Sequence, residues 1–305
     1  MKIFLTGATG YIGSSVAKRL AEQGHTVYGL FRNINLSDDL KKLGIVPVHG
    51  TLEDQELLGA YAKKADAIIH TADSDHRPAV ETIINAIEGT GKTFIHTSGS
   101  SVVGDDVLGD YENPVTFNEE TPFVPMDVRQ ERVAINQYVR AAGIFRNIRS
   151  IVIVPSMIYG DAIGLNVESD QLPVIFRKSK ETGKGVFVGQ GINRWSNVHI
   201  SDLVDLYLLA LEKAPSASYF YAENGQESYK DLAVSVSTAL GFGGVVQSWK
   251  SGDALAELGD WARFALGSNS RVNAVHARRL LGWAPAGISI TEWILTSGNS
   301  NRLCS

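Results

Sequence analysis

The sequence predicts an α/β protein: a doubly wound parallel sheet with a smaller domain toward the C-terminus. Two observations carry this. An apolar run from Lys2 to Leu5 enters a glycine-rich turn and then a helical apolar pattern through Val16 and Leu20, and strand and helix patterns alternate from there to about residue 155. The turn reads Thr6-Gly7-Ala8-Thr9-Gly10-Tyr11-Ile12-Gly13, with its glycines spaced G-x-x-G-x-x-G. That spacing supplies a tight bend, a backbone free of side chains to lie against a pyrophosphate, and close packing of helix on strand. The helix start adds unpaired N–H groups and the positive end of its dipole. Gly7, Thr9, Gly10, Tyr11, Ile12 and Gly13 are therefore the candidate dinucleotide contacts; the plain alternative is a glycine turn without a ligand.

The elements follow in order. Thr26 to Phe31 reads as a second strand, Ile45 to Val48 as a third, Asp66 to His70 as a fourth and Thr93 to Thr97 as a fifth, with an amphipathic helix including Ala79 to Ile87 between the last two. Parallel strands in this arrangement place a ligand at their carboxyl ends. Ser98 to Met126, rich in Gly, Ser, Asp, Asn and Pro, is an irregular stretch of a length that is usually functional or mobile. Asp127 with Gln130 has the form of a capping box, and Val128, Ile135 and Ala142 recur every seven residues, so one helix face is expected to carry them together with Glu131 and Arg132. Ile151 to Val154 is a continuous apolar run that suits a sixth, doubly buried strand, ended by Pro155. Beyond Tyr159-Gly160 the pattern is less regular. Helices are expected over Leu172 to Lys180, Ser201 to Leu211, Tyr229 to Leu240 and Asn273 to Leu281, the last stopped by Gly282 and Pro285, with a short strand at Val186 to Val188.

Composition bounds the function. With 305 residues, 44% of them hydrophobic, the chain can bury a large α/β core. The net charge of -5, without blocks of like charge, argues against nucleic acid or a membrane surface as partner and leaves small molecules. The only cysteine, Cys304, excludes an intramolecular disulfide and a cysteine-based metal site, so a reducing, cytoplasmic setting is expected. The glycines break the N-terminal apolar stretch, so it does not read as a signal peptide, and no apolar run is long enough to span a bilayer.

TGATGYIG, DAIIHTA at 66–72, FIHTSGSSVVG at 94–104, IVIVPSMIYG at 151–160, WSNVHISDL at 195–203 and ARRLLGWAP at 277–285 together resemble the extended short-chain dehydrogenase/reductase family. The closest part of it is the NAD-dependent epimerase/dehydratase group. The resemblance runs through nearly the whole chain in the family's order. It implies a Rossmann domain over residues 1–155 that binds NAD(P), with 198–214 returning to it, and a substrate-binding domain made of 156–197 and 215–305. A homodimer through two sheet-covering helices, including the one from Asp127 to Ala142, is also implied.

The resemblance breaks at the chemistry. The family uses a Ser or Thr after the fifth strand and a Tyr-x-x-x-Lys pair on the next helix. Here no lysine occurs between Lys92 and Lys178, and Tyr111 and Tyr138 are followed four residues later by Val115 and Ala142. Aligning on Val103-Gly104 puts Gly99 at the serine position, flanked by Ser98 and Ser100, with Val128 at the tyrosine position and Arg132 at the lysine position. Valine carries no proton to give, and arginine keeps its own near neutrality. A positioned acid or base is worth about a hundredfold to ten-thousandfold in rate, so the proton must come from elsewhere.

Ser98, Ser100 and Tyr159 are the candidates for that chemistry; small polar loop residues are common, and in the family pattern Tyr159 is more often packed. Arg132 can reach a nicotinamide ribose. Thr71 and Ala72 resemble the segment that passes the cofactor, and Pro155, Met157 and Ile158 the segment against the nicotinamide. Arg32 stands nineteen residues after Gly13, where an acidic residue would bind the ribose hydroxyls of NAD. An arginine there suits the 2'-phosphate of NADP, so NADP(H) is favoured, with NAD(H) the alternative. His199 and Asp127 read as packing and capping residues. Glu131 needs a cationic partner, expected in Arg132, Arg129 or the ligand. Trp195 and Trp283 line either the substrate cleft or the core. No metal site is expected.

These readings converge on an NADP(H)-dependent reductase or dehydrogenase acting on a small carbonyl or hydroxyl substrate. A non-catalytic NAD(P)-binding sensor is the alternative. Nucleotide-sugar epimerisation or dehydration ranks lower, because those reactions lean most on the missing tyrosine.

Overall fold

The alternation read from the sequence closes into one seven-stranded parallel sheet in a computed structural model that describes residues 1–165 and 167–297. Cys304 lies outside the described residues. The first half runs β1 (Lys2–Thr6), α1 (Tyr11–Glu22), β2 (Thr26–Phe31), α2 (Ser37–Lys42), β3 (Ile45–His49), α3 (Gln55–Lys64), β4 (Ala67–His70), α4 (Arg77–Ile87) and β5 (Thr93–Thr97). It continues through α5 (Gln130–Phe145), β6 (Arg149–Pro155), β7 (Met157–Tyr159), α6 (Gln171–Thr182), β8 (Gly185–Val188), β9 (Arg194–His199), α7 (Ile200–Lys213) and β10 (Ser218–Ala222). The last elements are β11 (Gln226–Ser228), α8 (Tyr229–Ala239), β12 (Val246–Trp249), α9 (Ser251–Leu258), α10 (Val275–Leu281) and α11 (Ile290–Ser297).

The sheet order is β10-β6-β5-β4-β1-β2-β3, every pair parallel. Order reverses between β1 and β4, the switch point at which open α/β sheets bind ligands beyond their carboxyl ends. The central strands are buried on both faces: Ile3, Phe4, Leu5, Ile68, Ile69, Phe94, Ile95 and Ile151 to Val154 have no exposed surface. Among the described residues no helix is long and apolar enough to cross a membrane.

Two departures from the sequence reading matter. Part of the stretch expected to form only the second domain, 215–305, returns to the sheet. β10 pairs with β6 from Ser218 opposite Ile151 to Ala222 opposite Pro155, giving that buried strand a partner on its outer edge. α10 packs behind it, and Ala274, Ala277, Leu281 and Trp283 join the large core. The smaller core is centred on Phe176, Val186, Trp195, Tyr229, Trp249 and Trp293, and two short sheets, β11-β9-β7 and β12-β8, frame it.

The second departure concerns residues 127–142. Asp127–Arg129 form a single 3-10 turn and α5 begins at Gln130. Gln130 donates through Nε2 to Asp127 Oδ1 at 2.8 Å, so the two side chains bond to each other and no capping box forms. Ile135 and Ala142 are buried as expected, but Val128 is 53% exposed. A 3-10 turn advances each residue further around the axis than an α-helix, which breaks the seven-residue phase at that point.

Candidate functional site

The turn between β1 and α1 is folded so tightly that only glycine fits it. Gly7 has φ +76°, and a Cβ there would stand 2.8 Å from Ala72 Cα. At Gly13 a Cβ would fall 2.0 Å from the Gly7 carbonyl oxygen and 2.6 Å from Thr71 Oγ1. Thr71 donates its hydroxyl to the Thr6 carbonyl at 2.7 Å, so the end of β4 braces the turn. The first N–H groups of α1 have no partner within the helix and lie at its positive end. The cradle therefore fits a dinucleotide diphosphate. Tyr11 contributes backbone there, while its phenol donates to the Gly160 carbonyl at 2.6 Å and is pushed up in pKa by burial.

Two cavities open from this turn. One, about 330 Å³, is bounded by Gly7, Thr9, Leu30, Arg32, Leu52 and Glu53. Arg32 is exposed, makes no ion pair among the described residues, and is held by its backbone oxygen against His49 Nε2 at 3.1 Å. The other, about 510 Å³, runs from Gly10, Tyr11, Ile12 and Gly13 past Thr71 and Ala72 to the loop Ser98-Gly99-Ser100-Ser101. Arg132, Pro155, Ile158 and Trp195 wall it as well. The residues expected to touch the cofactor thus face one or both cavities, except Met157, which β7 turns into the smaller core.

The hydroxyls at the far end differ in what they have left to give. Asn136 donates from Nδ2 to Ser98 Oγ at 2.9 Å, which leaves the Ser98 proton free to donate into the cavity. Arg132 donates in the same way to Ser101 Oγ at 3.1 Å. Ser100, a candidate from the sequence, is engaged elsewhere: its Oγ lies 2.7 Å from Ser270 Oγ, which also donates to the Ser100 carbonyl. Tyr159 is not brought to the site. Its hydroxyl donates to the Ile288 carbonyl at 2.6 Å, its ring packs against His199 and Trp293 in the smaller core, and burial drives its pKa far up. The tyrosine is packed, because β7 alternates and turns it away from the cleft that Ile158 faces.

The charged candidates also separate. Arg132 forms a two-point pair with Asp75 from the loop after β4, Nε to Oδ1 at 2.7 Å and Nη2 to Oδ2, and this holds the Asp75 carboxyl below its usual range. Glu131 finds Arg77 on α4, at the helix–helix surface, instead of an arginine of its own turn or a ligand. His199 accepts from the Ser201 amide and caps α7, and burial depresses its pKa. Trp283 is buried and donates to the Asp202 carbonyl, while Trp195 lines the cleft with its Nε1 donating to Ser268. Among the described residues no cluster of side chains suits a metal ion.

Sequence reasoning missed Ser101, Asn136 and Asp75. Asn136 was within reach of it: four residues after Arg132 on one helix, it shares that residue's face. Ser101 lies one place beyond the triplet taken from the family register. Nothing local marks Asp75, whose role arises when β4 and α5 are brought together by the sheet.

A sequence model of the NAD dependent epimerase/dehydratase family matches residues 3–220. An uncharacterized protein of Schizosaccharomyces pombe is 30% identical over 303 residues, covering 93% of this chain and 95% of that protein. A protein of an Acremonium species named oxidase ucsJ is 30% identical over 328 residues, covering 94% and 93%. Among solved structures, a dTDP-glucose 4,6-dehydratase of Bacillus anthracis in complex with NAD superposes with a TM-score of 0.78 at 17% identity, covering 99% of this chain and 96% of the other. The last likeness is one of fold; the matched span and the two relatives place the chain itself in the NAD-dependent epimerase/dehydratase family.

Proposed function

We propose that the chain binds NADP(H) along its two cavities and interconverts a carbonyl and an alcohol on a small substrate. The observation that carries this reading is the convergence, at one end of a cavity that starts on the glycine turn, of Pro155, Ile158 and two hydroxyls with protons free to donate, Ser98 and Ser101. Bound there, the nicotinamide cofactor supplies or takes up the hydride. The α1 amides hold the diphosphate. Arg32, unpaired at the rim of the smaller cavity, meets the 2'-phosphate, and Arg132 is placed to donate to ribose hydroxyls. Ser98, oriented by Asn136, donates to the substrate oxygen, and Ser101 assists. The proton itself reaches that oxygen from water relayed through these hydroxyls, since an arginine at the family's lysine position does not release one.

Titration with NADPH and NADH, followed by NADPH consumption across a carbonyl panel, tests this. Tighter NADH binding sinks the cofactor assignment. Absence of turnover with any carbonyl, despite cofactor binding, favours the sensor reading, which the two-point Arg132–Asp75 pair supports by closing the cleft's own cation on itself. Nucleotide-sugar epimerisation ranks third; a UDP-glucose 4-epimerase of Mycolicibacterium smegmatis is 25% identical over 96% of both chains.

A further inference from the structure

Beyond Ser101 and Arg132 the cleft opens into a further cavity of about 450 Å³, which shares Asp170, Gln171 and Trp195 with the cofactor cavity. Its outer wall is Val128, Arg129, Asp260, Trp261 and Phe264. Arg129 is unusual among these residues. Its amide is fixed to the Met126 carbonyl in the 3-10 turn, its guanidinium lies 5.8 Å from the Phe264 ring centroid, and its Nε is shut off from solvent with no hydrogen-bond partner. It makes no ion pair among the described residues, and burial together with the neighbouring Arg132 lowers its pKa. Arg132 is already neutralised by Asp75. An unpaired cation that is half-buried costs free energy unless something returns the lost hydrogen bonds.

We propose that this cavity binds the carboxylate of a substrate with a flat, apolar or aromatic body: Arg129 grips the carboxylate, and Val128, Trp261 and Phe264 take the body. The reading rests on the oxidoreductase assignment above and names its substrate class. Two features favour a single negative charge over the diphosphate of a nucleotide sugar. Only one guanidinium is uncommitted, and the carboxylates of Asp170 and Asp260, which also line the cavity, raise the cost of each added negative charge. A guanidinium presents two parallel N–H donors that match the two oxygens of a carboxylate.

The test uses the full chain loaded with NADPH and follows the quenching of its tryptophan fluorescence, since Trp195 and Trp261 line the cavity. Phenylglyoxylate, cinnamate and 2-naphthoate are titrated beside their methyl esters, and UDP beside them all. The expected result is saturable quenching by at least one acid, at least tenfold tighter than by its ester and than by UDP. In Arg129→Met, which keeps the stem over Phe264, that tenfold preference disappears while NADPH binding is unchanged. Esters binding as tightly as acids, UDP binding more tightly than every acid, no saturable quenching by any acid, or a preference that survives in Arg129→Met each overturn the proposal. Phenylglyoxylate, which alone of these acids carries a ketone, binding without NADPH consumption contradicts the oxidoreductase reading and leaves this one standing.

Discussion

At the glycine-turn end of the cleft the backbone forms the binding surface, and side chains are excluded from it; at the Arg129 end side chains form the surface, and each is set by a contact distant in sequence. Gly7, Gly10 and Gly13 leave room and donors, and an added Cβ at Gly7 or Gly13 strikes Ala72 or the Gly7 carbonyl. Val128, Arg129, Trp261 and Phe264 come from two segments more than a hundred residues apart, joined only by packing. The difference teaches that the first end tolerates almost no substitution at Gly7 and Gly13, whereas the second, built from side chains at the rim, can be altered without unfolding the sheet.

Substitution at Gly13 should break the first end most severely. Gly13→Ala places a methyl 2.0 Å from a backbone oxygen, so α1 must move off β1. Overpacking of this kind costs about 1–3 kcal/mol or more. Calorimetric titration is expected to show loss of cofactor binding by at least a hundredfold, with a lowered melting temperature; binding within threefold of the parent would remove the turn from the site. Arg32→Ala sharpens the cofactor assignment at smaller cost. NADPH affinity should fall by roughly tenfold to a hundredfold with little change for NADH, in keeping with the loss of a charge-assisted contact worth about 1.5–3 kcal/mol. Equal loss for both cofactors would contradict a 2'-phosphate contact.

Hydroxyl substitutions come next. Ser98→Ala should lower kcat about tenfold or more, with NADPH binding unchanged. Tyr159→Phe is its control: the lost bond to the Ile288 carbonyl should cost about 1 kcal/mol of stability and leave kcat within twofold. A kcat collapse in the tyrosine variant would return that residue to the chemistry.

The last effect is global and leaves the cleft itself untouched. His70 and His96 are fully buried in adjacent strands, their rings 5.5 Å apart, and burial drops the His70 pKa from 6.5 to about 4 and lowers that of His96 as well. A group depressed in the folded state gives its full stability above its unfolded pKa and loses it as pH falls. Stability should therefore decline between pH 6.5 and about 4, by about 3 kcal/mol for His70 alone. Melting temperatures from pH 7.5 to 4.5 read this, and a flat profile would contradict burial of the pair.

Much of this architecture is written locally in the chain. Strands such as Ile151 to Val154 and the turn at 6–13 carry their own periodicity and glycine spacing, so their place in the sheet was legible. β10 was not, because Ser218–Ala222 differs little from any short aromatic strand, and only the empty edge of β6 assigns it. The site divided along the same line. Contacts made by backbone could be read from TGATGYIG, whereas Ser98 and Ser100, alike in sequence, part company because Asn136 reaches one and Ser270 the other. Tyr159 was a candidate until the Ile288 carbonyl, 129 residues away, accepted its hydrogen bond.

The central claim is that the cleft moves a hydride between NADP(H) and a substrate carbon, with Ser98 donating to the substrate oxygen. Incubation of the chain with NADPH deuterated at the transferable C4 position and a panel of aromatic carbonyl acids, followed by mass analysis of the products, tests it most directly. The account predicts an alcohol one mass unit heavier, formed in step with NADPH loss and slowed by Ser98→Ala. Bound NADPH that transfers no deuterium to any carbonyl would contradict it.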